Sequence, residues 1–215
     1  KAIQAMLDTR TSVVYLPPPA KHYLISKALR VYSHQTLKLD PTSVIRRADN
    51  ACDYMLTNDD LDKGNEHIVI SGGVWDGNNA KNPRRPMPRN GENPRTFFTG
   101  STMLLMHVNH LLIEKAMIKD PEKFGVNIGA CHKFTVDNIV FDYNALRGNM
   151  DGVHVHGGSS VKRMCAFFIH KLKIHCDSFA FPEICIIFTR ELHIVKYYYF
   201  ETDCLHIKRI ILICL

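Results

Sequence analysis

An internal repeat constrains the fold of this chain more than any other feature of its sequence. Three similar segments occur at residues 67–76, 110–120 and 133–142. The second and third start about 23 residues apart, and the first pair lies further apart because of a loop from Gly77 to Thr96. A second type of segment recurs in register ahead of these, at residues 101–108, 124–131 and 151–158. All six are short, rich in β-branched residues and bounded by Gly, Asn or Asp, which favours strands over helices.

Each repeat therefore supplies two short strands joined by turns. A single repeat cannot bury its own inner face, whereas stacked repeats pair every strand edge and build one continuous core. The sequence thus predicts an all-β fold, a parallel β-helix (a solenoid), over residues 1–160.

Alternation of side chains along a strand predicts which residues face the core. In residues 124–129, Phe124, Val126 and Ile128 are expected to point inward and Asn127 outward.

In residues 151–158, the same alternation points His154 and His156 outward. This register places Asn127 beside His154 on the outside of one sheet, with Asp151 at the turn that opens the strand. A row of exposed polar residues on a parallel sheet forms a long groove, which suits a polymer.

The last part of the chain, residues 161–215, has a different composition from the rest. No Asn follows Asn149, no Gly follows Gly158, and five of the seven cysteines lie beyond residue 160. Gly and Asn are the residues that form tight turns. The segment is either a cap or small subdomain with its own turn chemistry, or a tail produced by frameshift or truncation, and we favour the second interpretation. The β-helix is accordingly expected to be incomplete.

Charge and cysteine spacing exclude several classes of function. The net charge of +6 is too small to indicate nucleic-acid binding. No apolar stretch is long enough for a transmembrane helix, and no cysteine pair has the CxxC spacing of a zinc site. We therefore expect no metal, no cofactor, no nucleic acid and no membrane, and leave the oligomeric state open.

The chain starts at Lys1 without a leader, so either an export signal has been removed or the start is missing.

The loop over residues 78–95 is basic and stiffened by four prolines. Its basic residues are Lys81, Arg84, Arg85, Arg89 and Arg95. This loop is either a solvated insertion or a segment that borders the groove. In the second case, Arg84 and Arg85 would bind the carboxylates of an anionic chain in bidentate fashion.

Several segments resemble known β-helix proteins. Residues 13–18 (VVYLPP), 23–27 (YLISK) and 67–78 (HIVISGGVWDGN) resemble the opening of pectin-lyase-like right-handed β-helix proteins. Residues 120–128 (DPEKFGVNI) and 149–155 (NMDGVHV) resemble more specifically the polygalacturonase family, glycoside hydrolase family 28. The resemblance covers roughly residues 11–160.

This resemblance implies hydrolysis of galacturonan-like pectic polymers with inversion, by carboxylates on opposite faces of the sugar. The family's Asn-Thr-Asp-Gly motif would correspond to Asn149-Met150-Asp151-Gly152, which makes Asp151 a catalytic carboxylate and Asn149 a substrate-binding residue. Asp177 would be the one remaining member of the family's Asp-Asp pair. The later Gly-His-Gly motif is absent, because no glycine follows residue 158.

The full set of candidate substrate-binding residues is Asn127, Asn149, His154, Arg84 and Arg85. The expected partner is an acidic polysaccharide, and the resemblance implies an extracellular or periplasmic location. Two other functions remain open: a non-catalytic or inactive carbohydrate-binding β-helix, and a polysaccharide lyase. Trp75 is expected to pack in the core or against a loop.

Overall fold

In the structure, a computed structural model, the regular secondary structure is almost entirely β-strand. The structure describes residues 1–83, 98–144, 146, 150–157 and 159–168, together with the strand segments 175–176, 184–188, 194–198 and 210–214. One helix, α1 (Ala2–Asp8), precedes the strands, and a 3₁₀ helix covers Asn79–Lys81. The strands are β1 (Val13–Leu16), β2 (Tyr23–Ile25), β3 (Leu29–Val31), β4 (Thr36–Leu39), β5 (Val44–Arg47), β6 (Leu56–Asn58), β7 (Asn65–Ser71), β8 (Val74–Asp76), β9 (Met103–Met106), β10 (Val108–Glu114), β11 (Met117–Lys119), β12 (Val126–Gly129), β13 (His132–Asp142), β14 (Val153–His156), β15 (Ser160–Phe168), β16 (His175–Cys176), β17 (Ile184–Phe188), β18 (Ile194–Tyr198) and β19 (Ile210–Cys214).

The strands pair in parallel with strands of the neighbouring repeats. Sheet A has eleven strands, in the order β1-β4-β7-β10-β13-β11-β8-β5-β2, with β15 paired to β13 and β17 paired to β15. Sheet B has six strands, in the order β16-β14-β12-β9-β6-β3. The expected all-β fold with parallel sheets is confirmed.

Each of the early repeats contributes three strands, so the expectation of two strands per repeat is wrong. The chain bends inside the longer segment, for example between β7 and β8, where Gly72 and Gly73 have φ of 83° and 74°. A Cβ on Gly72 would lie 2.2 Å from the carbonyl oxygen of Leu39, so only glycine fits there. At the equivalent bend of the next repeat, Lys115 adopts φ 53°. In the following repeat the two halves run together as β13.

The repeat register expected from the sequence is the observed one. Strand β12 pairs with β9 on one side and with β14 on the other, and Asn127 is the partner of His154. Strand β10 pairs with β7 and β13 in the same way.

Side chains that point inward from both sheets form one large apolar core. Val126, Ile128 and Trp75 belong to it and are fully buried, as expected. Phe124 does not belong to it, which corrects the inward orientation expected from alternation. The physical reason is that Phe124 lies two residues before β12 begins, where the alternation of an extended strand does not apply.

Helix α1 covers the edge of sheet B at the first repeat. Leu7 is fully buried in the core, and the Gln4 side chain bonds to the backbone of β3. The amide Nε2 of Gln4 donates to the Arg30 carbonyl at 3.2 Å, and the Arg30 N–H donates to Gln4 Oε1 at 2.8 Å. The glutamine thus replaces part of the strand pairing that β3 lacks on this side.

Parallel pairing continues beyond residue 160. Strand β15 extends sheet A beside β13, and β16 extends sheet B beside β14. Strands β18 and β19 form a separate antiparallel pair.

Across the described residues, no helix has the length and apolar character needed to span a membrane.

Candidate functional site

The outward-facing residues of sheet B form a row across five repeats. This outer row consists of Arg30, Thr57, Leu104, Asn127 and His154, one each from β3, β6, β9, β12 and β14. At its polar end, the Nε2–H of His156 donates to Oδ1 of Asn127 at 3.0 Å. Neighbouring repeats are therefore joined on the outer face by side chains as well as by the backbone.

Asp151 lies at the start of β14, directly beside this row. Its carboxylate Oδ2 is 3.3 Å from Nδ1 of His154, and the residue is 5% exposed. A carboxylate that accepts the Nδ1–H of an imidazole fixes the orientation of the ring. Asp151 thereby holds the His154 imidazole on the outer face of sheet B.

The backbone of Asp151 is held by the preceding repeat. Its carbonyl oxygen accepts the Gly125 N–H at 2.9 Å and the Tyr143 hydroxyl at 3.3 Å. Burial raises the pKa of Tyr143 well above its usual value, so the hydroxyl keeps its proton and donates. These bonds fix the position from which the carboxylate projects.

A stack of side chains covers His154. The Phe124 ring lies parallel to the imidazole, with centroids 4.1 Å apart and an interplanar angle of 9°. Lys123 Nζ lies 4.3 Å from the centroid of Phe124, which is within the range of a cation–π contact. The stack brings a positive charge to the same end of the outer row as Asp151.

Sequence reasoning missed both members of this stack. Alternation places Phe124 in the core and gives no role to Lys123. The available signal is that both residues lie in the connection before the strand that carries Asn127, and connecting segments carry a disproportionate share of binding residues.

The structure brings together three of the predicted site residues, Asp151, Asn127 and His154. The other four, Arg84, Arg85, Asn149 and Asp177, lie outside the described residues. Strand β16 pairs with β14 through His175 and His154, and Asp177 follows β16 directly in the sequence.

A second group of polar side chains lies at the ends of the sheet A strands. Asp120 Oδ1 accepts the Asn144 N–H at 2.7 Å, and the amides of Asn79 and Asn144 bond to each other. Burial raises the pKa of Asp120 above its usual value, with the backbone bond from Asn144 opposing that shift. This group satisfies itself across repeats and fits a structural ladder.

No arrangement of three or more His, Cys, Asp or Glu side chains suited to a metal ion occurs in the part of the chain that the structure describes.

Comparison with known proteins supports the fold. The chain matches no protein-family model and no curated protein sequence. Among solved structures it is similar to a putative glycosyl hydrolase from Parabacteroides merdae, with a TM-score of 0.67 and 16% sequence identity over 87% of each chain. Similarity at this level of identity establishes a shared fold of parallel β-sheets.

Proposed function

We propose that this chain is a right-handed parallel β-helix of the polygalacturonase type, which hydrolyses acidic, galacturonan-like polysaccharide with inversion. The observation that carries the proposal is the buried Asp151 carboxylate beside His154, just before β14 of sheet B. The fold shared with a putative glycosyl hydrolase supports it.

The outer face of sheet B offers the contacts that such a polymer needs. Its polar side chains lie on neighbouring strands, so a glycan bound across β12 and β14 could contact both. His154, His156 and Asn127 provide hydrogen-bonding groups for sugar hydroxyls, and Lys123 provides a positive charge for a uronate carboxylate. Arg84 and Arg85 are proposed to add bidentate carboxylate contacts from the basic loop.

Inverting hydrolysis requires two carboxylates on opposite faces of the scissile bond. One protonates the departing glycosidic oxygen, and the other removes a proton from the attacking water. Asp151 is proposed as one of this pair and Asp177 as the other, since Asp177 follows the strand that pairs with β14.

A large extracellular polymer as substrate is consistent with action outside the cell or in the periplasm.

Release of reducing ends from polygalacturonate by the purified chain tests this function. The Asp151→Asn variant keeps the size and hydrogen-bonding shape of the side chain but cannot take up or release the catalytic proton. We expect it to reduce the rate at least about 100-fold. Asp137→Asn, on sheet A, is the matched control and is expected to retain the wild-type rate. Equal rates for wild type and Asp151→Asn would contradict the proposal.

Non-catalytic glycan binding is the second candidate, and the burial of Asp151 favours it. An Asp-Gly pair forms a turn without any catalytic role, and in this alternative the Asp151 carboxylate, which is 5% exposed, anchors His154 and takes no part in chemistry. This alternative predicts binding of oligogalacturonate without turnover, and weaker binding by a His154→Ala variant.

A further inference from the structure

A cavity of about 850 Å³ lies at the first repeat, between α1 and β2. Residues 1–4, strand β2 and the turn that leads from β2 into β3 form much of its lining. Helix α1 bonds to β3, the last strand of sheet B, whereas β2 is the last strand of sheet A. The cavity therefore lies beside a strand edge that no other strand of the described chain covers.

The backbone of β2 presents hydrogen-bonding groups to this edge. In a strand of a parallel sheet, the N–H and C=O groups of successive residues face opposite edges. The carbonyl oxygen of Ile25 accepts the Ala48 N–H at 2.7 Å, on the side where β2 pairs with β5. The N–H and C=O of Leu24 consequently face the outer edge, where β2 has no partner strand. An edge of this kind can accept one further strand.

Apolar side chains border the same edge. Leu24 is the most exposed of the large apolar side chains that the structure describes, at 62%. Ile3 of α1 and Tyr23 of β2 also line the cavity, and both are partly buried against the main core. A strand alternates its side chains between its two faces, so a segment beside β2 would turn every second side chain toward the core. Those inner positions suit apolar residues.

The charged groups that line the cavity are mostly basic. Lys1, Lys27 and Arg30 line it and are exposed. Asp53 is the one carboxylate among the lining residues, and it already accepts two backbone N–H groups. The ion pair of Arg30 with Asp59 is long, at 4.0 Å. A second copy of the chain would bring the same positive charges to this edge, whereas an acidic segment complements them.

We propose that this edge is a docking site for an extended acidic segment of a partner protein, which adds a strand to sheet A beside β2 and places apolar side chains in the cavity. Leu24 supplies one N–H donor and one C=O acceptor to the added strand, and Lys27 and Arg30 contact its carboxylates. The inference goes beyond the proposed hydrolase function and is independent of it. Asp151 belongs to the repeat of β14, which lies at the opposite end of the sheets from β2.

Fluorescence anisotropy of a labelled octapeptide that alternates Asp or Glu with Val or Ile, titrated with the full chain, tests the proposal. We expect a dissociation constant below about 1 mM. The Lys27→Gln/Arg30→Gln double variant is expected to bind about tenfold more weakly. Lys38→Gln, an exposed change on β4, is the matched charge control and is expected to keep the wild-type affinity.

Leu24→Pro tests the backbone contact. Proline is tolerated in an edge strand where the N–H faces away from the neighbouring strand, so the pairing of β2 with β5 should persist. Without the Leu24 N–H, the peptide is expected to bind at least about tenfold more weakly. Urea denaturation checks that this variant folds. If it does not fold, a peptide N-methylated at alternate residues removes the same kind of bond from the other side, and it is expected to bind the wild-type chain equally poorly.

An acidic peptide that does not bind at about 1 mM would overturn the proposal, as would equal affinity for the wild type and the double variant. Equal binding of the N-methylated peptide would exclude strand addition. A version of the peptide with Lys in place of Asp and Glu is expected to bind at least about tenfold more weakly, and equal binding would exclude the acidic partner. Displacement of the acidic peptide by self-association of the chain, measured by sedimentation, would assign the edge to a second copy and overturn the proposal.

Discussion

At the scale of single residues, the position of the Asp151 carboxylate depends on groups that do not touch a substrate. The Tyr143 hydroxyl and the Gly125 N–H both bond to the Asp151 carbonyl oxygen, and His154 bonds to its side chain. A small residue at position 125 allows this close approach of two repeats. The site is thus held by backbone packing of neighbouring repeats.

Gly125→Ala is expected to disrupt this packing. The added Cβ would lie 2.2 Å from the Tyr143 hydroxyl and 2.7 Å from the Gly152 carbonyl oxygen. Because one of these contacts is backbone, the change should cost about 1–3 kcal/mol of unfolding free energy, measured by urea denaturation. Adding Tyr143→Phe removes only the contact with the hydroxyl and should restore stability in part. If the Gly125→Ala variant is as stable as the wild type, the repeats that carry Gly125 and Gly152 approach each other less closely than described.

Asp120 is expected to make the stability of the protein depend on pH. Burial raises the pKa of Asp120, so the folded state disfavours its ionised carboxylate. The protein therefore loses stability as the pH rises from about 4, the ordinary pKa of the group, up to its raised pKa in the folded state. Asp120→Asn removes this effect and keeps an oxygen for the Asn144 N–H. Asparagine also tolerates the φ of 44° at this position.

We expect Asp120→Asn to be more stable than wild type at pH 7, by up to about 1 kcal/mol, in thermal or urea unfolding. The difference should shrink as the pH falls below about 4, where the wild-type carboxyl is protonated. A variant less stable than wild type at pH 7 would contradict the raised pKa.

At the scale of elements, α1 closes the end of the core that the first repeat would otherwise leave open. Its Gln4 side chain pairs with the β3 backbone, and its Leu7 side chain enters the core. An uncovered strand edge and an open apolar end favour aggregation. The helix therefore acts as a cap despite its seven residues.

Leu7→Ala is expected to lower the unfolding free energy by about 2–5 kcal/mol, because it leaves a cavity at the capped end. Met6→Ala, on the same helix but 45% exposed, is the matched control and should change stability by less than about 0.5 kcal/mol. Urea denaturation of both variants measures the difference. Equal effects of the two changes would show that α1 does not cap the core.

Local backbone bends inside the strands are the feature that the sequence predicts least well. His67 and His110 lie in strands, β7 and β10, as expected, but they have φ of 53° and 60°. The two rings stack on each other with centroids 4.6 Å apart, and the His67 ring also stacks on His34 at 5.1 Å. Non-glycine residues with positive φ are uncommon, so alternation gave no indication of these bends near the starts of β7 and β10.

At the scale of the whole molecule, repeat spacing was sufficient to predict parallel stacking and the pairing of Asn127 with His154. Spacing works because parallel strands of adjacent repeats keep one register, and a slip by one residue would expose the core. It could not predict that Lys123 and Phe124 cover His154, because those residues lie in a turn.

The most direct test of the central claim, that the chain hydrolyses uronate polymer at the Asp151 end of sheet B, is mass spectrometry of oligogalacturonate products formed in heavy-oxygen water. Hydrolysis predicts that each cleavage gives one fragment with a labelled oxygen at its new reducing end and one unlabelled fragment, and that Asp151→Asn gives neither. Fragments lacking one water and carrying no label would show a lyase. Intact oligomer after incubation with the folded wild-type chain would contradict the hydrolase function and leave glycan binding as the account of this face.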